Sequence, residues 1–169
     1  LDKMVTAAYA SLGNDDWGYS ISHMWQWGSV RSDDAFKGGG SVGDQGEIDY
    51  LEQYVTITTN LGKPNLAWIA IFEGIGRAND ALTRIDLVTE EEFPEKITRE
   101  AELKFLRGHW YFLLKVLFKN PPWIDELVPK EDIKLVSNDV LTNDQLWDKI
   151  ADDFQFAANN LPETQSEIG

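Results

Sequence analysis

The stretch Arg99–Phe118, REAELKFLRGHWYFLLKVLF, limits the fold more than any other part of the chain. Most of its residues are strong helix formers, and its apolar positions recur at helical spacing. Leu103, Leu106, Trp110, Leu113 and Leu117 form one row, and Ala101, Phe105, Gly108, Phe112 and Val116 form a second beside it. Two adjacent apolar rows predict a helix covered on more than half its circumference. Gly108 stands in the middle of it, where glycine costs about 1 kcal/mol relative to alanine. It lies on the second row, which predicts a close helix–helix crossing at which the missing side chain admits a partner.

Three further segments read as helices. In LDKMVTAAYASL, Val5, Ala8, Tyr9 and Leu12 fall at i, i+3, i+4 and i+7, and the turn formers of GNDDWG follow. A second helix starts near Pro64, a residue suited to a first turn. It places Trp68, Ile71, Phe72, Ile75, Ala78, Asn79, Leu82 and Ile85 on one face. Asn79 is a polar amide on a packing face, so it is expected to hydrogen-bond across to a neighbouring segment. TEEE, Thr89–Glu92, reads as a capping box ahead of the long central helix, which is expected from about Pro94 to Phe118. TNDQ, Thr142–Gln145, reads as a second box. It opens a last helix with Leu146, Trp147, Ile150, Phe154, Ala157 and Leu161 inward, ended by Pro162.

The connections are long. Ser20–Ser29 reads as extended or irregular, followed by a loop to Gly46 of a length that is often functional. EIDYLEQYVTI is ambiguous between a short helix and a strand. KNPPW stops the central helix, and IDELVPKEDIKLVSNDV reads as a surface excursion with short extended pieces. The fold class expected is mainly α, with a long loop-rich insert, in a single domain over residues 1–169. The two central helices start roughly thirty residues apart, near the period of tetratricopeptide helix pairs, although the repeat signature is absent.

The net charge of −14 argues against nucleic acid or an anionic membrane as a partner. With no cysteine there is no disulfide frame, thiolate nucleophile or cysteine-based zinc site. No apolar run approaches the roughly 20 residues that span a bilayer. The chain does not begin with Met and stops at ETQSEIG, so a piece of a longer protein is expected.

Little in the sequence points to catalysis or to a cofactor. His23 and His109 have no His or Cys partner at ligand spacing, and each is expected to be structural or on the surface. Asp33, Asp34 and Asp44 do not follow the EF-hand pattern. No G-x-S-x-G occurs, the glycines of residues 38–46 lack the G-K-[ST] of a phosphate loop, and EGIGRAN has no third glycine or preceding strand. With 29 acidic residues, any one carboxylate pair carries little evidence of glycoside hydrolysis. The expectation is a protein that is not an enzyme and holds no cofactor or metal. What remains is MWQWGSVRSDDAFKGGG. Trp25, Trp27 and Phe36 could stack on sugar faces, and Arg31, Asp33 and Asp34 could bond hydroxyls. The alternative is that the tryptophans are buried and Arg31 pairs with an aspartate to hold the loop.

Several stretches occur in a familiar order: AAYASL, W…RSDDAFKGGG, IFEGIGRANDALTRI, REAELKFLRGHWYFLLKVLF, a proline-marked break and LWDKIADDFQFAANNLP. Together they resemble the N-terminal part of the SusD/RagB family. The chain departs from the family pattern at FKNPP, Phe118–Pro122, and at Phe72, where tyrosine is frequent. The resemblance implies a mostly helical fold with tetratricopeptide-like helix pairs. It implies a surface lipoprotein of the outer membrane that binds glycans or other nutrients as the lid of a SusC-like TonB-dependent transporter. The lipid-bearing cysteine of such proteins precedes a segment like Leu1–Leu12, so attachment to the membrane is expected only through an anchor absent from this chain. Members run to several hundred residues, so the likeness is to their first third. The ligand-binding residues expected are Trp27, Arg31, Asp33, Asp34 and Phe36. The rival expectation is a helical scaffold that docks the transporter without binding sugar itself.

Overall fold

The computed structural model describes residues 1–13, 25–55, 58, 60–164 of the chain. Their regular structure is helical: α1 Asp2–Ala10, α2 Gly46–Glu52, α3 Gly62–Ile85, α4 Lys96–Phe118 and α5 Asn143–Asn160. Short 3-10 turns lie at Ser11–Gly13 and Ile133–Leu135. No strand occurs among the described residues, so the ambiguous EIDYLEQ segment resolves as helix. The chain divides into two compact units, Leu1–Ser11 with Phe72–Gly169, and Leu12–Ile71.

In the first unit, α1 packs on α3 and α4. Val5 and Ala8 meet Ala81, Leu82 and Ile85 of α3 and Leu103 and Leu106 of α4, with Met4 against the edge. Tyr9 and Leu12, expected inward, are exposed. α1 is too short for its apolar stripe to stay covered beyond Ala8, and the chain passes into a 3-10 turn at Ser11. Asp2 pairs with Arg99 at 3.2 Å, and Arg77 donates to the Ala7 carbonyl at 3.3 Å, which ties the short helix down at both ends.

α4 is surrounded as its two rows demand on one side only. Leu103, Leu106 and Trp110 are buried with Tyr111 and Leu114. On the second row Ala101 and Gly108 are buried, but Phe105, Phe112 and Val116 are 45%, 44% and 59% exposed. The difference arises because α5 covers that row closely only at Gly108, while Phe105 and Phe112 touch Phe154 and Trp147 at the edge of the contact. Gly108 is where α5 crosses: a Cβ there would lie 3.2 Å from Phe154 and 3.3 Å from Asp153. The crossing expected from the sequence is therefore present. A tighter approach lies at Gly74 of α3, where a Cβ would fall 2.4 Å from the buried Trp110 indole nitrogen.

Beside the crossing lies a buried polar network. Arg107 donates to both Asp153 oxygens, at 2.7 and 2.8 Å, to the Asn79 side-chain oxygen at 3.2 Å, and to Glu126. Asn79 in turn donates to the Ile124 carbonyl at 2.9 Å, the cross-segment bond expected of it. Tyr111 donates to that same carbonyl at 3.0 Å and accepts from the Ile124 amide at 2.6 Å. Its ring stacks on Trp123 at 4.2 Å. Burial pushes the Tyr111 hydroxyl well above its ordinary range, and the Ile124 bond only partly opposes that. Burial disfavours the Arg107 charge, but Asp153 and Glu126 outweigh it and raise its pKa. The connection after KNPPW is thus fastened to α3 and α4, and Arg107 links it onward to Asp153 of α5. It contains turns and the 3-10 turn Ile133–Leu135, followed by extended backbone at Val136.

The two capping boxes differ in outcome. Thr142 caps α5 with both reciprocal bonds, the Gln145 amide to Thr142 at 3.2 Å and the Thr142 amide to Gln145 at 2.9 Å. Thr89 and Glu92 make the same pair of bonds, at 2.8 and 3.3 Å, but α4 begins only at Lys96. That box closes an isolated turn, whose last amide, Phe93, bonds back to the Thr89 carbonyl at 3.0 Å. Within α5, Leu146, Ile150 and Ala157 are buried as expected, whereas Trp147 is 37% exposed and Asp153 takes an inward place.

Candidate ligand-binding loop

In the second unit Val30, Ile48, Leu51, Leu61, Ala67, Ala70 and Ile71 are the buried apolar residues among those described, and Gln26 and Asp49 are buried with them. α2 supplies Ile48 and Leu51 on one face. Its Glu47 carboxylate accepts the Gly62 and Lys63 amides at 2.9 and 2.6 Å. A carboxylate there satisfies two orphan donors at the start of α3 and faces the positive end of its dipole.

The loop from Trp25 to Gln45 is held by its own backbone and by α2. The Val30 amide bonds to Trp25 at 2.9 Å and the Ala35 amide to Ser29 at 3.0 Å. The Lys37 amide donates to Glu52 at 3.0 Å, and its ammonium bridges the Ser41 carbonyl at 3.1 Å and the Asp44 carbonyl. Asp44 accepts from the Gly40 amide at 3.1 Å. Gly39, with φ of 85°, lies so close to that carboxylate that a Cβ would fall 2.5 Å from it. Gly39, together with Gly38 at φ of 72°, therefore lets the loop fold onto Asp44.

The expected binding residues are arranged as follows. Trp27 is half-buried. Arg31 is half-buried, with its guanidinium 4.2 Å over the Tyr54 ring and a long bond of 3.5 Å to the Leu51 carbonyl. Its own carbonyl accepts from the Tyr54 hydroxyl. Arg31 is thus held against an aromatic ring, and it forms no ion pair with an aspartate among the described residues. Asp33 is exposed with φ of 64°, and Asp34 is exposed and accepts from Ser32 at 3.0 Å. Phe36 is 77% exposed. Trp25, 38% exposed, stands at the start of the loop. Tyr54 was missed by sequence reasoning: it is 59% exposed, with φ of 56°. The signal was present, since Tyr50 and Tyr54 stand four apart in EIDYLEQYVTI and both are exposed.

The loop therefore offers outward aromatic surface, exposed carboxylates that accept hydroxyl hydrogens, and a guanidinium whose five donors are held in one orientation. Such groups suit polyhydroxylated neutral ligands. Among the described residues no group of three His, Asp or Glu converges as a metal site. His109 is half-buried on α4, while the reading of His23 falls outside the described residues. No described helix is long and apolar enough to cross a membrane.

Residues 23–168 match the SusD-like family described as starch-binding associating with outer membrane. The chain belongs to that family. The match takes in the candidate loop, α2 to α5 and the polar network, and the mainly helical architecture agrees with it. No curated protein matches the chain.

Proposed function

We propose that this chain is a non-catalytic glycan-binding part of an outer-membrane nutrient-uptake system. In this reading it is the N-terminal helical portion, residues 1–169, of a longer lipid-anchored surface protein that works with a SusC-like TonB-dependent transporter. The observation that carries the reading is membership, over residues 23–168, of a family described as starch-binding and outer-membrane-associated. The exposed aromatic and carboxylate groups of the Trp25–Tyr54 region support it. In this reading Trp27 and Phe36 stack on sugar rings, Arg31, Asp33 and Asp34 bond hydroxyls, and Tyr54 holds the guanidinium in place.

Calorimetric titration of the folded chain with neutral oligosaccharides tests this. The expected result is saturable binding in the millimolar to micromolar range, weakened by Phe36→Ala and by Trp27→Ala without loss of helix by circular dichroism. If Trp27→Ala unfolds the chain, Trp27 is core and its assignment is wrong. A folded chain silent to every sugar would favour the docking scaffold, tested by capture of the SusC-like transporter.

A further inference from the structure

The connection between α4 and α5 lines a small cavity in the first unit. Pro121, Pro122, Trp123, Val136, Val140 and Leu141 form its walls, and Lys149 of α5 completes the lining with Ser137 and Asn138. Its volume is about 110 Å³, and it is open to solvent on one side. The walls are held in place. Two successive prolines restrict the backbone just after α4 ends. Trp123 stacks on Tyr111 at 4.2 Å and donates its indole N–H to Asp125 at 3.0 Å. Asn120 donates to the Asn138 carbonyl, which ties the start of the connection to a point near its end. The cavity shares no residue with the candidate sugar loop.

The chemistry of the lining narrows what fits. The prolines carry no N–H, the Trp123 N–H is taken by Asp125, and the Ser137 hydroxyl donates to Asp139. A sugar, which needs several hydroxyl partners, finds few here, whereas an apolar group gains by leaving water. An apolar cavity of about 150 Å³ holds a benzene ring. This smaller, open one takes a single ring-sized body with its substituent at the mouth. Two lining side chains make no hydrogen bond or ion pair with a described residue, the Asn138 amide and the exposed Lys149 ammonium. Both donate and Lys149 is charged, so the substituent they favour is a carboxylate. Asp148 and Asp152 stand near Lys149 on α5, and Asp139 follows Asn138, but none of them bridges to the ammonium. They weaken the attraction and leave its sign at the cavity to Lys149. A later segment of a longer protein is the rival occupant. The stretch Leu135–Leu141, LVSNDVL, interrupts its apolar residues with Ser137, Asn138 and Asp139, so it offers no continuous apolar face on which such a segment could lie. We propose that this cavity binds a small carboxylate with a ring-sized apolar body, the body against Trp123, the prolines and Val136, and the carboxylate at Lys149 and Asn138.

The test titrates the isotope-labelled 169-residue chain with benzoate, benzamide, acetate and glucose. The Trp123 indole N–H and the methyl groups of Val136, Val140 and Leu141 are followed by NMR, which places the binding among the seven tryptophans of the chain. Benzoate is expected to shift these signals saturably, with a Kd about millimolar, and to bind about fivefold more tightly than benzamide, its neutral counterpart. Acetate, which lacks the ring, and glucose are expected to leave them unmoved. Lys149→Gln is expected to bring benzoate down to the level of benzamide. Lys149 is exposed, so this variant is expected to keep its helix content. Val136→Phe is expected to fill the cavity and weaken both ring compounds about tenfold. Should it unfold, Lys149→Gln leaves the walls untouched and still decides the carboxylate. No shift at the four residues, equal affinity for benzoate and benzamide, an unchanged preference in Lys149→Gln, or full binding by a folded Val136→Phe chain overturns the proposal. So does a glucose titration that moves the same signals, which would make the cavity a sugar site. None of these readouts depends on the Trp25–Tyr54 region, so failure here and failure of the glycan reading are separate results.

Discussion

At Gly108 an added methyl group would touch Phe154 at 3.2 Å, while at Gly74 it would lie 2.4 Å from the Trp110 indole. The two glycines therefore respond differently to alanine. Each substitution gains about 1 kcal/mol of helix propensity. At Gly108 the neighbour is a half-buried ring that can give a few tenths of an ångström, so Gly108→Ala is expected within about 1 kcal/mol of the parent. At Gly74 the neighbour is a rigid indole that is 2% exposed, so Gly74→Ala is expected to lose about 1–3 kcal/mol net. Urea unfolding of both variants measures the contrast. Gly108 could be read from the sequence because it interrupts an apolar row. Gly74 could not be told from Gly76, which faces open space, because both stand in the same short motif. His109 gives a second prediction. Burial holds its pKa below the ordinary 6.5, so the unfolded chain takes up a proton that the folded chain refuses. The His109 contribution to stability is present above pH 6.5 and lost as pH falls below it. His109→Gln is expected to flatten that part of the stability profile, measured by unfolding across that range.

Helices α3, α4 and α5 were legible in the sequence because long amphipathic periodicity outweighs local ambiguity. Their caps were legible only in part. Thr89 and Thr142 carry the same box, yet only Thr142 sits at a helix start, because the chain runs on from Glu92 through Phe93, Pro94 and Glu95 before α4 opens at Lys96. Sequence spacing identifies the reciprocal bonds but not whether a helix grows out of them. Thr142→Ala removes a cap from a helix whose packing fixes the Gly108 crossing, and is expected to cost about 1 kcal/mol. Thr89→Ala loosens an exposed turn and is expected to cost less than half as much. Thermal unfolding of the two variants side by side checks this, and equal losses would show that the first box also supports α4. Of the Arg107 network only Asn79 left a sequence signature, as a polar amide on a packing face. The partners of Arg107, Asn79, Glu126 and Asp153, come from three separate segments, and a charged residue on a predicted helix gives no sign that it turns inward.

Over the whole molecule the charge of −14 bears on the ligand. In the candidate loop the exposed groups at Asp33 and Asp34 are carboxylates, and Arg31 is half-buried against Tyr54. The types of these residues were legible in the sequence, but their exposure was not. Phe36 could have been core, and the ring that positions Arg31 comes from beyond α2, 23 residues on, a distance that no local pattern reports. An anionic sugar approaching this loop meets both the local carboxylates and the general negative field, whereas a neutral sugar meets neither as repulsion. Neutral oligosaccharides are therefore expected to bind with an affinity nearly independent of salt. Uronate-containing or sulfated oligosaccharides of equal length are expected to bind at least about tenfold more weakly at low ionic strength. Part of that gap should close as salt shortens the screening length to about 8 Å at physiological strength. Calorimetric titration of one neutral and one anionic oligosaccharide at two salt concentrations measures this. Tighter binding of the anionic sugar, weakened by salt, would mean that a cation governs the site, and Arg31 would then be the contact to remove first.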